Sequence, residues 1–333
     1  MSSASSPRYL GPAAVEAALP ITEAIAAARE TFIALARGEV ELPQRSAVQL
    51  GPAEAGAVSL IMGAASPQVG AVTKLVSVVP ANAGRGLDRT LGVVTLVDPA
   101  TGQLRGVLDG ASLTALRTGA VSGLATELLA ARDARQAAII GAGRQAETQL
   151  LAIDAVRELE RVRIYARTPA GVAAFIDRMQ PRVRARLESS SSPEAAVTGA
   201  SIVCAATGAS TPVFPGRALE GSVHINAVGS FRPDMRELDL DSLRGAVIVV
   251  DHREAALEEA GELLAARDAG LTRVEDWLEL GALALDPPAT RPGERTVFDS
   301  VGLAVQDLFA AAWALERAAE RGLGVPLEGA RDR

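Results

Sequence analysis

The chain has 333 residues, 48% of them hydrophobic, and carries a formal net charge of −7. A chain of this length exceeds the size at which a single core stops growing, so two domains are expected. The negative charge, without a basic run interleaved with aromatics, argues against nucleic-acid binding. The sequence has neither the pattern of a signal peptide nor an apolar run of about 18 residues, so we expect a cytoplasmic protein that does not contact a membrane.

The first third of the chain combines helical and extended patterns. Apolar residues at helical spacing predict a helix that begins near Ile21 and stops at Gly38. The extended segments that follow include the turn "DPATG" between two strands, and they predict an antiparallel or mixed sheet. A second long helix is predicted over 112–130, with Ser112 as its N-cap.

From about residue 135, short apolar strands alternate with helices. This alternation predicts a parallel sheet covered by helices, and the amphipathic segment 300–322 predicts a last helix that packs back on the first domain. The expected fold class is α/β. A Rossmann-type parallel-sheet domain is expected over 123–300, and a second, α+β domain is expected from 1–122 and 301–333.

Cysteine and histidine give no sign of nucleophilic or metal chemistry. The lone Cys204 lies in the apolar run "SIVCAATG", which predicts an inert buried thiol. His224 and His252 each stand without Cys, Asp or Glu at metal-ligand spacing, so the sequence predicts no metal site.

The stretch "QAAIIGAGRQAETQL" carries a dinucleotide-binding pattern. An apolar strand enters Gly141-x-Gly143-x-x-Ala146 and a helix follows, which is the context that lets the backbone approach a pyrophosphate. The next strand ends in Arg167 and Thr168, where an NAD site would place an acid for the ribose hydroxyls. A guanidinium and a hydroxyl suit a 2′-phosphate, so NADPH/NADP is favoured over NAD; the alternative is that Arg167 is only a solvated loop cation.

Three cations of the first domain lie in unusual places. Lys74 is the only lysine of the chain and shares a predicted strand face with valines, so we expect it to be buried and to meet an anion of the protein or of a ligand. Arg45 opens an extended segment, and Arg117 lies on an otherwise apolar helix. We expect a substrate carboxylate, and not a protein acid, to be the partner of both arginines; structural ion pairs are the alternative.

The chain resembles the ornithine cyclodeaminase and mu-crystallin family over about residues 8–325, in the segments "TKLVSVVPANAGRGL", "GVVTLVDPATGQLRGVLDGASLTALRTGAVSGLA", "IIGAGRQA" and "VFDSVGLAVQDLFAAA". The resemblance implies a homodimer in which each subunit pairs a Rossmann domain with a substrate-binding and dimerisation domain. It also implies that Arg45, Lys74 and Arg117 hold the substrate carboxylate. The positions implied to touch the cofactor are Thr90, Arg117, Thr118, Gly141, Ala142, Gly143, Arg144, Gln145, Arg167, Thr168, Thr207, Val228, Ser230 and Ser300.

One segment separates the chemistries of this family. Cyclodeaminases and some alanine dehydrogenases resemble one another in an aspartate at the place where this chain has Phe231, and in cyclodeaminases it handles the substrate's amino protons. The form "GSFRPDMREL" resembles instead the mu-crystallin and ketimine-reductase branch. That branch implies NADPH-dependent reduction of Δ1-pyrroline-2-carboxylate or Δ1-piperideine-2-carboxylate to L-proline or L-pipecolate, with Lys74 as a candidate proton donor of depressed pKa. A displaced acid at Asp234 is conceivable, and the alternatives are ornithine cyclodeaminase, alanine dehydrogenase or an NADPH-binding protein without turnover.

Overall fold

A computed structural model describes residues 6–88, 90–287 and 294–327 of the chain. The chain divides into two compact units: the first runs up to Arg117 and resumes at Leu303, and the second spans Thr118–Gly302. The expected divisions, after residues 122 and 300, lie near these bounds.

The strands are β1 (Arg8–Leu10), β2 (Ser46–Gln49), β3 (Val58–Ser66), β4 (Gly70–Val78), β5 (Thr90–Val97), β6 (Leu104–Asp109), β7 (Gln136–Ile140), β8 (Arg161–Tyr165), β9 (Arg186–Ser189), β10 (Ile202–Ala205), β11 (His224–Ala227), β12 (Val247–Val250), β13 (Leu278–Glu279), β14 (Thr296–Asp299) and β15 (Val325–Pro326). The helices are α1 (Pro12–Ala18), α2 (Ile21–Ala36), α3 (Gly110–Leu129), α4 (Arg144–Val156), α5 (Pro169–Met179), α6 (Pro193–Val197), α7 (Leu240–Leu243), α8 (Arg253–Glu259), α9 (Gly261–Asp268), α10 (Leu280–Leu285) and α11 (Ala304–Arg321).

The first unit is built on a mixed sheet with the strand order β15-β1-β6-β5-β4-β3-β2. Strands β2 to β6 are paired antiparallel, whereas β1 is parallel to β6. The turn between β5 and β6 forms as expected, because Asp98 accepts hydrogen bonds from the amides of Ala100 and Thr101 at 3.0 and 2.9 Å. The prediction of an antiparallel or mixed sheet is therefore confirmed.

Helix α11 covers one face of this sheet, where it packs against β3, β4 and the helix α2. The helix presents a wide buried apolar stripe that includes Leu308, Ala311 and Leu315. Gly106 on β6 allows the close approach, since a Cβ there would lie 2.9 Å from the carbonyl oxygen of Arg8 and would also meet Leu315. The prediction that the last helix packs back on the first domain is confirmed.

Helix α3 begins two residues before the predicted start. Asp109 accepts a hydrogen bond from the backbone amide of Ser112 at 2.8 Å, which is the contact that an N-cap residue makes three positions into a helix. The prediction of Ser112 as the N-cap is therefore wrong, because the acid that ends β6 takes that role.

The second unit contains a sheet in which every described pairing is parallel, with the strand order β13-β12-β14-β11-β10-β7-β8-β9. Its apolar strands are buried on both faces by helices, as such sheets require. The expected α/β class with a Rossmann-type sheet is confirmed. The carboxyl ends of β7, β10, β11 and β14 lie at one edge of this sheet, which is the usual ligand edge of such folds.

Candidate active site

The buried lysine of the first unit is paired with a protein acid. Lys74 lies in the middle of β4 and is 1% exposed, in register with Met62 on β3 and Val94 on β5. Its Nζ donates to both carboxylate oxygens of Asp307, at 3.1 and 3.2 Å. Asp307 lies in the first turn of α11 and is fully buried. Lys74 is thus buried, as the alternation of β4 predicts. The anion that it contacts belongs to the protein.

Arg117, in α3, contacts the same helix turn. Its Nε lies 3.5 Å from Oδ1 of Asp307, and its Nη1 donates to the side-chain oxygen of Gln306. Arg117 is 7% exposed, so both contacts are shielded from water. The expectation that no protein acid would pair with Arg117 is therefore wrong, because α11 brings Asp307 under the cation.

Arg45 is half-buried and completes what we call the cationic cluster, which is Arg45, Lys74 and Arg117. Its positive charge acts on Lys74. The two buried cations of the cluster, Lys74 and Arg117, share the carboxylate of Asp307. These two side chains therefore carry more positive charge than Asp307 offsets, and a ligand carboxylate would complement it.

This environment makes Lys74 an unusually acidic lysine. Burial lowers the pKa of Lys74 to about 8, the neighbouring charge of Asp307 opposes that change, and the charges of Arg117 and Arg45 lower the pKa further. An amine with a pKa near neutrality can both donate and recover a proton at physiological pH.

The glycine turn after β7 is shaped for a phosphate group. Gly141 has a φ of +123°, and a Cβ there would lie 2.6 Å from the carbonyl oxygen of Ala206. Nothing lies within 4 Å of the place where Gly143 would carry a Cβ, and Gly143 caps α4 without a side-chain hydrogen bond. The first-turn amides of α4 thus have no side-chain cap, and the fully buried Ala146 lets the helix pack closely on the sheet. These features fit the pyrophosphate of a dinucleotide.

Arg167 and Thr168 follow β8 and are exposed at the N-terminus of α5. Thr168 is the N-cap residue of α5, yet its hydroxyl makes no capping hydrogen bond. No hydrogen bond or ion pair joins Arg167 to another residue in the part of the chain that the structure describes. A guanidinium and a hydroxyl at a helix N-terminus form an arrangement that suits a phosphate.

The other predicted cofactor positions divide between the two units. Thr90 and Arg117 belong to the first unit, and Thr118 belongs to the second. A larger set follows the carboxyl ends of β10, β11 and β14 in the second unit: Thr207, Val228, Ser230 and Ser300.

Two buried acids that the sequence analysis missed hold these strand ends. Glu237 accepts hydrogen bonds from the amide and the hydroxyl of Thr207, at 2.6 and 2.7 Å, and from the amide of Gly229 at 2.7 Å. Asp251 accepts from the hydroxyl of Ser300 at 2.9 Å and from the amide of Gly302 at 2.8 Å. The loops after β10, β11 and β14 are therefore fixed to carboxylates beneath them.

We call Glu237, Asp251, Glu262 and Asp299 the acidic cluster. All four are buried, and neither carboxylate oxygen of Asp299 has a hydrogen-bond partner in the described structure. Burial raises the pKa of Glu237 to about 7 and raises the pKa of Glu262. Burial, with the charges of the three other acids, raises the pKa of Asp299 well above its usual range, which favours the neutral form of this side chain.

The position that separates the family's chemistries carries no acid directed inward. Phe231 is partly buried, and Asp234 is exposed and paired with Arg232 on its own loop at 3.0 Å. Asp234 is thus engaged at the surface, which is unlike the environment of an acid that would handle substrate protons.

Cys204 and His224 are structural. Burial raises the pKa of the Cys204 thiol to about 12, so the reactive thiolate does not form near neutral pH. His224 is hydrogen-bonded to Thr296 and Asn226, at 2.8 and 3.2 Å, and burial lowers its pKa to about 3. Within residues 6–88, 90–287 and 294–327, no three His, Cys, Asp or Glu side chains are grouped so that they could hold a metal ion. No helix in those ranges is both long and apolar enough to cross a membrane.

The parallel sheet and its glycine turn define a protein with a dinucleotide-binding unit. The model of the ornithine cyclodeaminase/mu-crystallin family matches residues 9–322. The chain is 42% identical to a Delta(1)-pyrroline-2-carboxylate reductase of Bacillus cereus over 259 residues, which cover 77% of this chain and 79% of that protein. It is 38% identical to the ketimine reductase mu-crystallin of Mus musculus over 239 residues, which cover 72% and 73% of the two chains. This chain therefore belongs to the ornithine cyclodeaminase/mu-crystallin family.

Two solved structures share the fold over nearly the whole chain. The Delta(1)-pyrroline-2-carboxylate reductase of Thermococcus litoralis, in complex with NADH and L-proline, superposes with a TM-score of 0.91 at 32% identity and covers 96% of this chain and 100% of that chain. A dimeric archaeal alanine dehydrogenase with bound NAD has a TM-score of 0.88 at 29% identity and covers 98% and 100%. The resemblance stated from the sequence is confirmed.

Proposed function

We propose that this protein reduces small cyclic ketimines with NADPH, converting Δ1-pyrroline-2-carboxylate to L-proline or Δ1-piperideine-2-carboxylate to L-pipecolate. The observation that carries the proposal is the pair of buried cations Lys74 and Arg117, which share one protein carboxylate, that of Asp307. A planar imino acid brings the second carboxylate and, next to it, a basic nitrogen. The names of the relatives at 42% and 38% identity support the same reaction class.

The residues of the first unit divide the work by their chemistry. Arg45 and Arg117 would hold the substrate carboxylate, because guanidinium groups stay charged and bind carboxylates through paired donors. Lys74 would give a proton to the imine nitrogen, since an iminium is a better electrophile than a neutral imine. When bound by the second unit, the dinucleotide would supply the hydride that reduces the imine carbon.

We propose NADPH as the preferred cofactor, with Arg167 and Thr168 on the 2′-phosphate. The exposed guanidinium and the free hydroxyl of an uncapped helix N-terminus support this preference. The solved relatives named above were seen with NADH and with NAD, which both lack a 2′-phosphate, so the proposed preference rests on Arg167 and Thr168 of this chain. Competition between NADPH and NADH in one reaction mixture tests the preference, and equal use of the two would contradict it.

We propose that the protein acts as a homodimer through the open face of the first sheet. Ile61 and Leu75 are opposite each other on β3 and β4, Leu91 on β5 pairs with the next residue of that face, and Val48 extends the patch on β2. All four are more than 40% exposed, which is unusual for adjacent large apolar residues of one sheet. Ile61→Glu is expected to give monomers in light scattering, and a wild-type protein that is already monomeric would refute the proposal.

One panel of substrates tests the reaction. NADPH consumption is measured with each of the two cyclic ketimines and with pyruvate plus ammonia, and ammonia and proline are measured from ornithine with NAD or NADP. We expect turnover with at least one ketimine and negligible conversion of ornithine, since Phe231 can neither accept nor donate a proton. Stoichiometric ammonia and proline from ornithine would overturn the assignment and direct attention to Asp234.

A further inference from the structure

Two consecutive residues of α11, Gln306 and Asp307, each accept hydrogen bonds from a different buried cation. Asp307 holds Lys74 through both carboxylate oxygens, at 3.1 and 3.2 Å, while Gln306 accepts from the Nη1 group of Arg117. The carboxylate also lies 3.5 Å from the Nε of Arg117, but that contact is not a hydrogen bond. The bidentate acid is thus placed on the lysine, and the neutral amide is placed on the arginine.

This division follows the chemistry of the two cations. A guanidinium stays protonated when buried and needs acceptors more than it needs a negative charge. A buried ammonium loses its proton readily, so it needs a negative charge beside it to stay charged. The groups that face Lys74 are Asp307 from α11, Arg117 from α3 and Arg45 from the segment before β2, and Asp307 is the one that favours the charged form.

We propose that Asp307 is a positioning residue that keeps the Nζ of Lys74 protonated and aimed, so that Lys74 can serve as proton donor to the substrate nitrogen. The inference rests on the proposed function for its substrate. In the proton transfer, an N–H bond of the Lys74 ammonium breaks and an N–H bond forms on the imine nitrogen. The neutral amine of Lys74 then takes a proton from water, and Asp307 remains a carboxylate throughout.

A purely structural ion pair would behave differently. It would stabilise the fold, and its loss would lower stability without changing the pH at which the enzyme loses activity. An acid that sets the protonation of Lys74 moves that pH, because activity then depends on the ammonium form and is lost as pH rises through the pKa of Lys74. The two roles are therefore separated by a titration.

The sequence allows this titration to be observed directly, because Lys74 is the only lysine. Isotope-labelled lysine incorporated during expression gives one side-chain signal in a nuclear magnetic resonance spectrum of the full-length protein. We expect a midpoint near 8 in the wild type. In the Asp307→Asn variant we expect the midpoint to fall by at least one pH unit, and the alkaline limb of kcat/KM with a cyclic ketimine to move down by the same amount.

Two further variants control the experiment. Asp307→Glu restores a carboxylate and is expected to return the midpoint toward that of the wild type, which keeps the test open if Asp307→Asn folds poorly. Asp154→Asn removes another buried aspartate, one that pairs with Arg184 at 3.5 Å in the second unit, and it is expected to leave the Lys74 signal unchanged.

The outcomes separate this inference from the proposed function. An unchanged Lys74 midpoint in folded Asp307→Asn, or one that Asp307→Glu fails to restore, overturns the role of Asp307 even if ketimines are reduced. A lowered midpoint in a protein that reduces no ketimine supports the control of Lys74 by Asp307 and refutes the proposed substrate. A lowered midpoint with an unmoved kcat/KM profile overturns the donor role of Lys74.

Discussion

The two units bury charge of opposite sign and deal with it differently. In the first unit, the buried cations Lys74 and Arg117 share the carboxylate of Asp307, and burial lowers the pKa of Lys74. In the second unit, the acidic cluster gathers four carboxyl groups, and raised pKa values bring Glu237 and Asp299 toward their neutral forms. Both clusters approach neutrality by shifting protons, but only the cationic cluster contains guanidinium groups, which cannot become neutral. A lasting excess of charge therefore marks the place where an anionic ligand is required.

Arg157 shows that a buried arginine alone does not mark such a place. Arg157 is as buried as Arg117, at 7% exposed, yet its guanidinium donates to the carbonyl oxygens of Thr126, Ala130 and Ala131 at 2.7 to 2.9 Å. These acceptors lie at the C-terminal end of α3, where a cation is favourable. Arg157 is satisfied by the fold, whereas Arg117 keeps an Nε without a hydrogen-bond partner in the described structure.

The largest expected effect comes from changing the titratable member of the cationic cluster. Lys74→Arg keeps the charge but replaces a compact ammonium by a planar group that stays protonated, so kcat with a cyclic ketimine should fall roughly 100-fold or more. Arg161→Lys, an exposed exchange on β8, is the matched control and should retain full activity. Near-native turnover of Lys74→Arg would mean that charge alone matters at this position.

The arginines of the cluster are expected to give the next largest effect. Arg45→Ala and Arg117→Ala should each lower kcat/KM. For the buried Arg117, the lost transition-state stabilisation should be about 2 to 5 kcal/mol, the usual result of truncating one partner of a buried charge contact. Steady-state kinetics on folded protein measures this, with thermal unfolding as the control. Since Arg117 also contacts Asp307 and Gln306, its loss should lower the melting temperature more than the loss of half-buried Arg45. Full activity per folded molecule in both variants would show that the arginines serve the fold alone.

The cationic cluster could be predicted from the sequence, and the acidic cluster could not. A single lysine on an apolar strand and an arginine on an apolar helix are visible because they break a hydrophobic pattern. Asp299 instead ends β14, Asp251 follows β12 and Glu237 lies in a loop, all of them places where acids are common. Their burial depends on the packing of four strands of a parallel sheet, which no local pattern reports.

Asp307 was missed for a different reason. It lies within "AVQDLFAAA", where it shares the apolar face of α11 with residues such as Leu308 and Ala311. An acid on the buried stripe of an amphipathic helix is the same kind of signal as Lys74 on its strand, and pairing the two would have predicted the ion pair. The start of α3 shows the remaining limit, because the choice between Asp109 and Ser112 as cap depends on where β6 ends.

The variant Arg167→Ala tests whether the second unit also binds an anionic ligand group, the 2′-phosphate of NADPH. Arg167→Ala should remove roughly 1.5 to 3 kcal/mol of the preference for NADPH over NADH, the range for a hydrogen bond to a charged group. The ratio of kcat/KM for the two dinucleotides measures it. Arg182→Ala, at an exposed position after α5, is the control and should leave the ratio unchanged. A ratio that is equal in Arg167→Ala and the wild type would assign Arg167 to the solvated surface.

The smallest expected effect is on stability, and it tests the acidic cluster directly. The pKa of Glu237 is about 7 in the folded protein against 4.5 in the unfolded chain, so between these values the folded state holds a proton that the unfolded chain releases. The free energy of unfolding must therefore fall as pH rises through this window. Glu237 contributes about 2 kcal/mol to that fall between about pH 5.5 and pH 7.5.

The contribution of Lys74 to the free energy of unfolding changes with pH in the opposite direction. Its folded pKa of about 8 lies below the value of 10.5 in the unfolded chain, so its contribution increases stability as pH rises from 8 to 10.5. Asp299→Asn mimics the neutral acid and should make the decline below pH 7.5 shallower, while Asp177→Asn, exposed on α5, should not. Urea unfolding of the dinucleotide-free protein from pH 5.5 to 10.5 measures both slopes, and stability that rises from pH 5.5 to 7.5 would show that the acids of the second unit are charged and compensated.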